Sequence, residues 1–195
     1  MSTLSANTNT TKLHPHKLLM YIAIGSMTMM FAGWISAYMV RQGQGRWEHV
    51  HLPTAFYIST VLILISSVTI FLSVRAHKKQ KYSLANIFLL TTLLLGVAFI
   101  GFQIQGFVQM RDVMGISLNG NNAAGEFTYV IPFVHGLHVV GGVMALLFTL
   151  LVGVWRRKAN KKITSRGLEI AATFWHFVDA LWLFIFIFLL YNQQA

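Results

Sequence analysis

The chain of 195 residues is 55% hydrophobic and only 10% charged, where a soluble domain carries roughly 25% charged residues, so an ordinary water-soluble enzyme and a disordered chain are both excluded. It has no cysteine, which removes disulfides, thiolate iron–sulfur clusters, C-x-x-C-H haem attachment and thiolate copper centres. Fifteen Lys and Arg against five Asp and Glu give a net charge of +10; in so apolar a chain this reads as basic loops on one membrane face and not as a nucleic-acid surface.

A hydrocarbon core of about 30 Å is crossed by about 20 apolar residues of helix. A polar tail occupies residues 1–17, read as cytoplasmic. Five apolar runs follow at 18–40, 54–74, 83–108, 129–155 and 171–191. The first is too long for the apolar core of a secretory signal, so it is read as a retained helix. Barrel strands would be about 10 residues long and alternating; these runs are continuous. The expected fold is all-α: a polytopic membrane protein of five transmembrane helices in a bundle, with no visible internal repeat.

The connectors set the orientation. The tail carries Lys12 and Lys17, the second connector Arg75, Lys78, Lys79 and Lys81, and the fourth Arg156, Arg157, Lys158, Lys161, Lys162 and Arg166. Five spans put these twelve cations on one side, against Arg41, Arg46 and Arg111 on the other. The positive-inside rule then places the N-terminus in the cytoplasm and the C-terminus outside. Of the two outer connectors, one holds Trp47, Glu48, His49 and His51 at the interface, and the other holds Asn119, Gly120, Asn121, Asn122 and Gly125 in turn chemistry.

Ionisable residues within the membrane carry the functional information, because they are costly there and usually face the bundle interior. His135 and His138 lie on the fourth span, with Glu126 before it; Glu169, His176 and Asp179 lie on the fifth. Residues three, four and seven apart share a helix face, so Glu169, His176 and Asp179 form one stripe, extended by Leu183. A second stripe holds His135, His138 and Gly142. Gly136, Gly141 and Gly142 would let another helix approach closely, and the two polar stripes are expected to pair, or to meet a partner chain. Four chemistries fit these residues: a haem between His176 and His135 or His138, a metal on His138, His176 and Asp179, a proton relay, and a structural hydrogen-bond network. Met27, Met29, Met30 and Met39 could serve copper(I) as soft ligands or form a pliable apolar surface. There is no Gly-rich phosphate loop, nucleophile elbow or H-E-x-x-H.

Two motifs go further. Trp175-His176-Phe177-Val178-Asp179-Ala180-Leu181-Trp182 resembles the W-H-F-V-D-x-x-W signature of subunit III of the haem–copper terminal oxidases. His135-Gly136-Leu137-His138-Val139-Val140-Gly141-Gly142 resembles that family's H-G-x-H-V-x-x-G helix, and Glu169 stands where the family often has an acid. Gly96, Phe99 and Gln103 add scattered matches, and five spans resemble the short bacterial form. The chain departs from the family on its second span, where Ser59 stands near the place of a membrane carboxylate, and on its third, where Gln103-Ile104-Gln105-Gly106-Phe107 contains no acid.

The resemblance implies an accessory subunit of a proton-pumping oxygen reductase in the bacterial inner membrane. It implies no catalytic centre, haem, copper or other cofactor-binding residue on this chain. The redox groups would sit on partner subunits I and II, small subunits could join them, and those partners would take electrons from cytochrome c or quinol. This chain would bind phospholipid and support proton uptake and the catalytic subunit through a polar and aromatic cluster of His135, His138, Glu169, Trp175, His176, Asp179 and Trp182. A small membrane subunit associated with nitric oxide reductase, or a His-based proton or metal transporter, are the alternatives.

Overall fold

A computed structural model describes residues 15–44, 51–114, 123–159 and 166–194. Most of the tail lies outside these residues, as do Lys12, Arg46, Trp47, Glu48, His49, Asn119, Gly120, Asn121, Asn122, Lys161 and Lys162. The described residues form five α-helices: α1 (Pro15–Gln42), α2 (Thr54–Lys78), α3 (Tyr82–Met114), α4 (Ala123–Lys158) and α5 (Arg166–Gln194). All five are long and apolar enough to cross a membrane. They run past the apolar spans, most visibly in α4 and α5, because backbone pairing continues after the side chains have turned polar.

The outward faces are those of a protein dissolved in lipid. Phe148 is 70% exposed, Ile187 61%, and Met29 77%; these side chains gain from a bilayer and would lose in water. Met39 is likewise exposed, so these two methionines form part of the outer apolar surface.

The tightest unit is the α2–α3 hairpin. Its turn is built by backbone bonds from Gln80 N–H to the His77 carbonyl and from Lys81 N–H to the Ala76 carbonyl, each 3.0 Å. This pair of bonds is the Schellman closure, which puts one residue in the left-handed region. Here that residue is Gln80, at φ 59°.

Helix α5 lies against α2 and α4, with α3 completing the bundle; α1 touches only α4 and α5. Phe31 and Tyr38 anchor the second half of α1 in the core, whereas none of its side chains from Lys17 to Met30 is buried. The core combines aliphatic side chains with a set of aromatic rings. Trp182 is fully buried between Phe56 of α2, Phe99 of α3 and His135 of α4, with ring centroids 5.8, 5.3 and 5.2 Å away. Trp175 lies against two glycines: a methyl group on Gly96 would sit 2.6 Å from its Cη2, and one on Gly142 would sit 3.1 Å from its Cε3.

Two outcomes follow from these contacts. Gln80→Gly removes the left-handed penalty and should stabilise the hairpin by about 0.5–1 kcal/mol, read as a later unfolding midpoint in detergent. Gly96→Ala forces the Trp175 ring to move and should destabilise by about 1–3 kcal/mol; an unchanged midpoint would contradict the packing described.

Candidate functional site

The site grows from a row of small hydroxyl residues on α2. Ser59, Ser66 and Ser73 recur at intervals of seven, and Thr60 and Ser67 stand one place further along. All except Ser67 are buried. A hydroxyl in a membrane helix can return its hydrogen to its own backbone and keep a lone pair for a neighbour. That occurs here: Ser59 and Thr60 donate to the Phe56 carbonyl, and Ser66 donates to that of Ile63.

The free lone pairs receive α5. The Trp182 indole N–H donates to Thr60 Oγ1 at 2.9 Å, and the Trp175 indole N–H donates to Ser66 Oγ at 3.0 Å. His176 Nδ1 lies 2.7 Å from Ser67 Oγ. On the other side, Gln103 of α3 donates its amide to Ser59 at 2.9 Å, and Ser73 donates to the Ala85 carbonyl at 2.8 Å. One helix thereby holds both neighbours.

The polar partner of the fifth-helix stripe is therefore α2. Among the described residues the α5 stripe makes no hydrogen bond to the α4 histidines, contrary to the expected polar pairing; the α4 stripe meets α5 through Gly142 on the Trp175 ring and His135 on Trp182 instead. Gly136 and Gly141 have nothing within 4 Å of an added methyl group, so of the three glycines only Gly142 serves a close approach within the chain.

The remaining polar residues separate. His135 is fully buried among the rings of Phe31, Phe99 and Trp182, and neither ring nitrogen has a hydrogen-bond partner. His138 bonds the Val134 carbonyl of its own helix through Nδ1 at 2.8 Å and meets Phe31 edge-on. Asp179 is 4% exposed. Neither of its carboxylate oxygens has a hydrogen-bond partner among the described residues. Glu169 and His176 line a groove of about 310 Å³ together with Lys17 and Tyr21 of α1 and Lys78 of α2. Among the described residues, no three His, Cys, Asp or Glu side chains converge to hold a metal ion.

The family model for cytochrome c oxidase subunit III matches residues 2–194. The chain belongs to that family. It is thereby an accessory subunit of a haem–copper oxidase. Among curated relatives, the cytochrome c oxidase subunit 3 of Bacillus subtilis is 27% identical over 85% of this chain and 81% of its own length. The quinol oxidase subunit 3 of Bacillus spizizenii is 32% identical over 85% and 81%. A probable quinol oxidase subunit 3 of Staphylococcus saprophyticus is 34% identical over 71% and 67%.

In this subunit III, three polar members of the W-H-F-V-D-x-x-W signature face α2 hydroxyls. The sequence alone does not single out Thr60, Ser66 or Ser67; of the α2 row it marks only Ser59, near the place of a membrane carboxylate. The seven-residue spacing of Ser59, Ser66 and Ser73 was the available signal, and isolated serines in an apolar span are easily passed over.

A double-mutant cycle on Trp182→Phe and Thr60→Val should give a coupling of about 0.6 kcal/mol, the average for hydrogen bonds between membrane helices. Zero coupling in a folded double variant would show that the indole N–H is satisfied elsewhere.

Proposed function

We propose that this subunit III stabilises the catalytic subunit of a proton-pumping oxygen reductase, holds phospholipid between its helices and supports proton uptake, while the redox centres reside on partner chains. The observation that carries this reading is the commitment of Trp175, His176 and Trp182 to α2 hydroxyls. The family's signature acts here as a device for fixing helices. Family membership favours the oxidase over a nitric oxide reductase subunit or a free-standing transporter.

The groove between α1, α2 and α5 supports the lipid part. It carries Lys17 and Lys78 beside the apolar walls of Met20, Phe71, Val74 and Ile170, a pairing that suits an anionic head group and its chain. The cation distribution supports a cytoplasmic N-terminus and an outer C-terminus in a bacterial inner membrane. Electrons enter through other subunits, from cytochrome c or quinol; relatives carry both names.

An oxidase assembled without this chain should reduce oxygen at its normal initial rate and then lose activity over successive turnovers. Oxygen consumption followed in proteoliposomes reads this directly, and complete loss at the first turnover would place a catalytic group here. Single cysteines at Gln44 and Gln80 of the otherwise cysteine-free chain should label from opposite faces, with Gln80 reached from the cytoplasm. Labelling of both from one face would overturn the orientation.

A further inference from the structure

The basic connectors do more than mark one membrane face, because three of their arginines converge. At the end of the bundle that carries the α2–α3 turn, a cavity of about 440 Å³ lies between the ends of α2, α3, α4 and α5. Its rim holds Arg156 and Arg157 from the last turn of α4 and Arg166 from the first turn of α5, with His77, Tyr82 and Asn86 completing the polar wall. Arg157 is braced there, donating through Nη1 to Ser83 Oγ at the start of α3, 2.7 Å away. Among the described residues no acidic side chain lines the cavity; Glu169, three residues after Arg166, lines the groove beside α1 instead. The floor is sealed: Ser73 is fully buried and donates to the Ala85 carbonyl at 2.8 Å, and Leu89 and Leu168 are buried. The rim stands just beyond the apolar runs, which end at 155 on α4 and resume at 171 on α5, so Arg157 and Arg166 are exposed at the level of water and head groups.

We propose that this cavity binds a soluble diphosphate, either free or as the terminal group of a larger molecule. A guanidinium group meets a phosphate through two parallel N–H donors, which fixes geometry as well as charge. The first-turn N–H groups of α5, at Arg166, Gly167 and Leu168, have no carbonyl partner within the helix and favour an anion at that end. Charge decides the class of ligand. Three guanidinium groups with no carboxylate among them match a group that carries several negative charges, whereas a phosphodiester lipid brings a single one. The groove beside α1 shows the contrast: there two lysines face one glutamate between apolar walls, and lysine acts as a point charge without a fork. A diphosphate seated on the arginines bridges the last turn of α4 and the first turn of α5, and Arg157 carries the connection to the start of α3. Occupation thereby joins the ends of three helices. The site is separate from the groove assigned to lipid and goes beyond the accessory role.

The test reads the arginines of this chain within the intact oxidase complex, with inorganic pyrophosphate as the probe. Phenylglyoxal modifies accessible guanidinium groups, and mass spectrometry of the chain follows each arginine separately. At about ten times its Kd, pyrophosphate should slow modification of Arg157 and Arg166 about tenfold. Arg75, exposed at the same end of the bundle but outside the cavity, should keep its rate. Arg166→Gln should raise the pyrophosphate concentration that half-protects Arg157 by about ten- to a hundredfold, the scale of one lost charge-assisted hydrogen bond. Arg157→Lys, which keeps the charge and loses the fork, should weaken protection of Arg166, and Arg157→Gln should weaken it further. Arg75→Gln should change neither. No protection at any pyrophosphate concentration, equal protection of Arg75, or an equal effect of Arg75→Gln would overturn the site. Nanodiscs separate a lipid source from a soluble one. If phosphatidylglycerol nanodiscs protected Arg157 and Arg166 where phosphatidylcholine nanodiscs did not, and pyrophosphate added nothing, the cavity would belong to a lipid head group and the proposal would fall.

Discussion

An indole N–H cannot stay unpaired in lipid, and that constraint positions α5. Apolar side chains gain nothing by leaving lipid for a protein interface, so close approach and buried hydrogen bonds decide how membrane helices sit. Trp175 and Trp182 are seven residues apart, two turns along one face. Their acceptors, Ser66 and Thr60, run in the opposite order along α2, as antiparallel helices require. Two donors meeting two acceptors fix rotation and register together. A slip of one turn would leave both indoles unpaired.

The rest of the bundle accommodates those two rings. Gly96 and Gly142 recede from Trp175 on α3 and α4. Phe56, Phe99 and His135 enclose Trp182 from three helices. The serines of α2 are small enough for α3 to come close, and the same row that receives α5 at Thr60, Ser66 and Ser67 accepts Gln103 at Ser59 on the other side. The two halves of α1 follow suit: where Phe31 and Tyr38 reach the aromatic core it is anchored, and where they do not, it stands away and leaves the groove.

One helix therefore serves two purposes along its length. From Trp182 onward α5 is sealed by aromatic packing. From Asp179 back to Glu169 the same face turns from buried to open and carries ionisable groups into the groove. The acids missing from α2 and α3 fit this division, because α2 uses that space for hydroxyls that hold its neighbours.

The number of helices, their apolar character and the family were legible in the chain itself, since hydrophobic length and the run from Trp175 to Trp182 are local properties of a sequence. The residues that matter on α5 were legible for the same reason. Their partners were not. A stripe of His and Asp on one helix shows that something polar faces it, but not which of four other helices supplies it, and the histidines of α4 looked the better match. Tertiary packing chose α2, because serine and threonine allow close approach and keep a lone pair after bonding their own backbone, whereas His135 is enclosed by rings and His138 bonds its own helix. The sequence by itself determined what must be buried in the membrane; only the folded bundle decided which acceptor each buried donor meets.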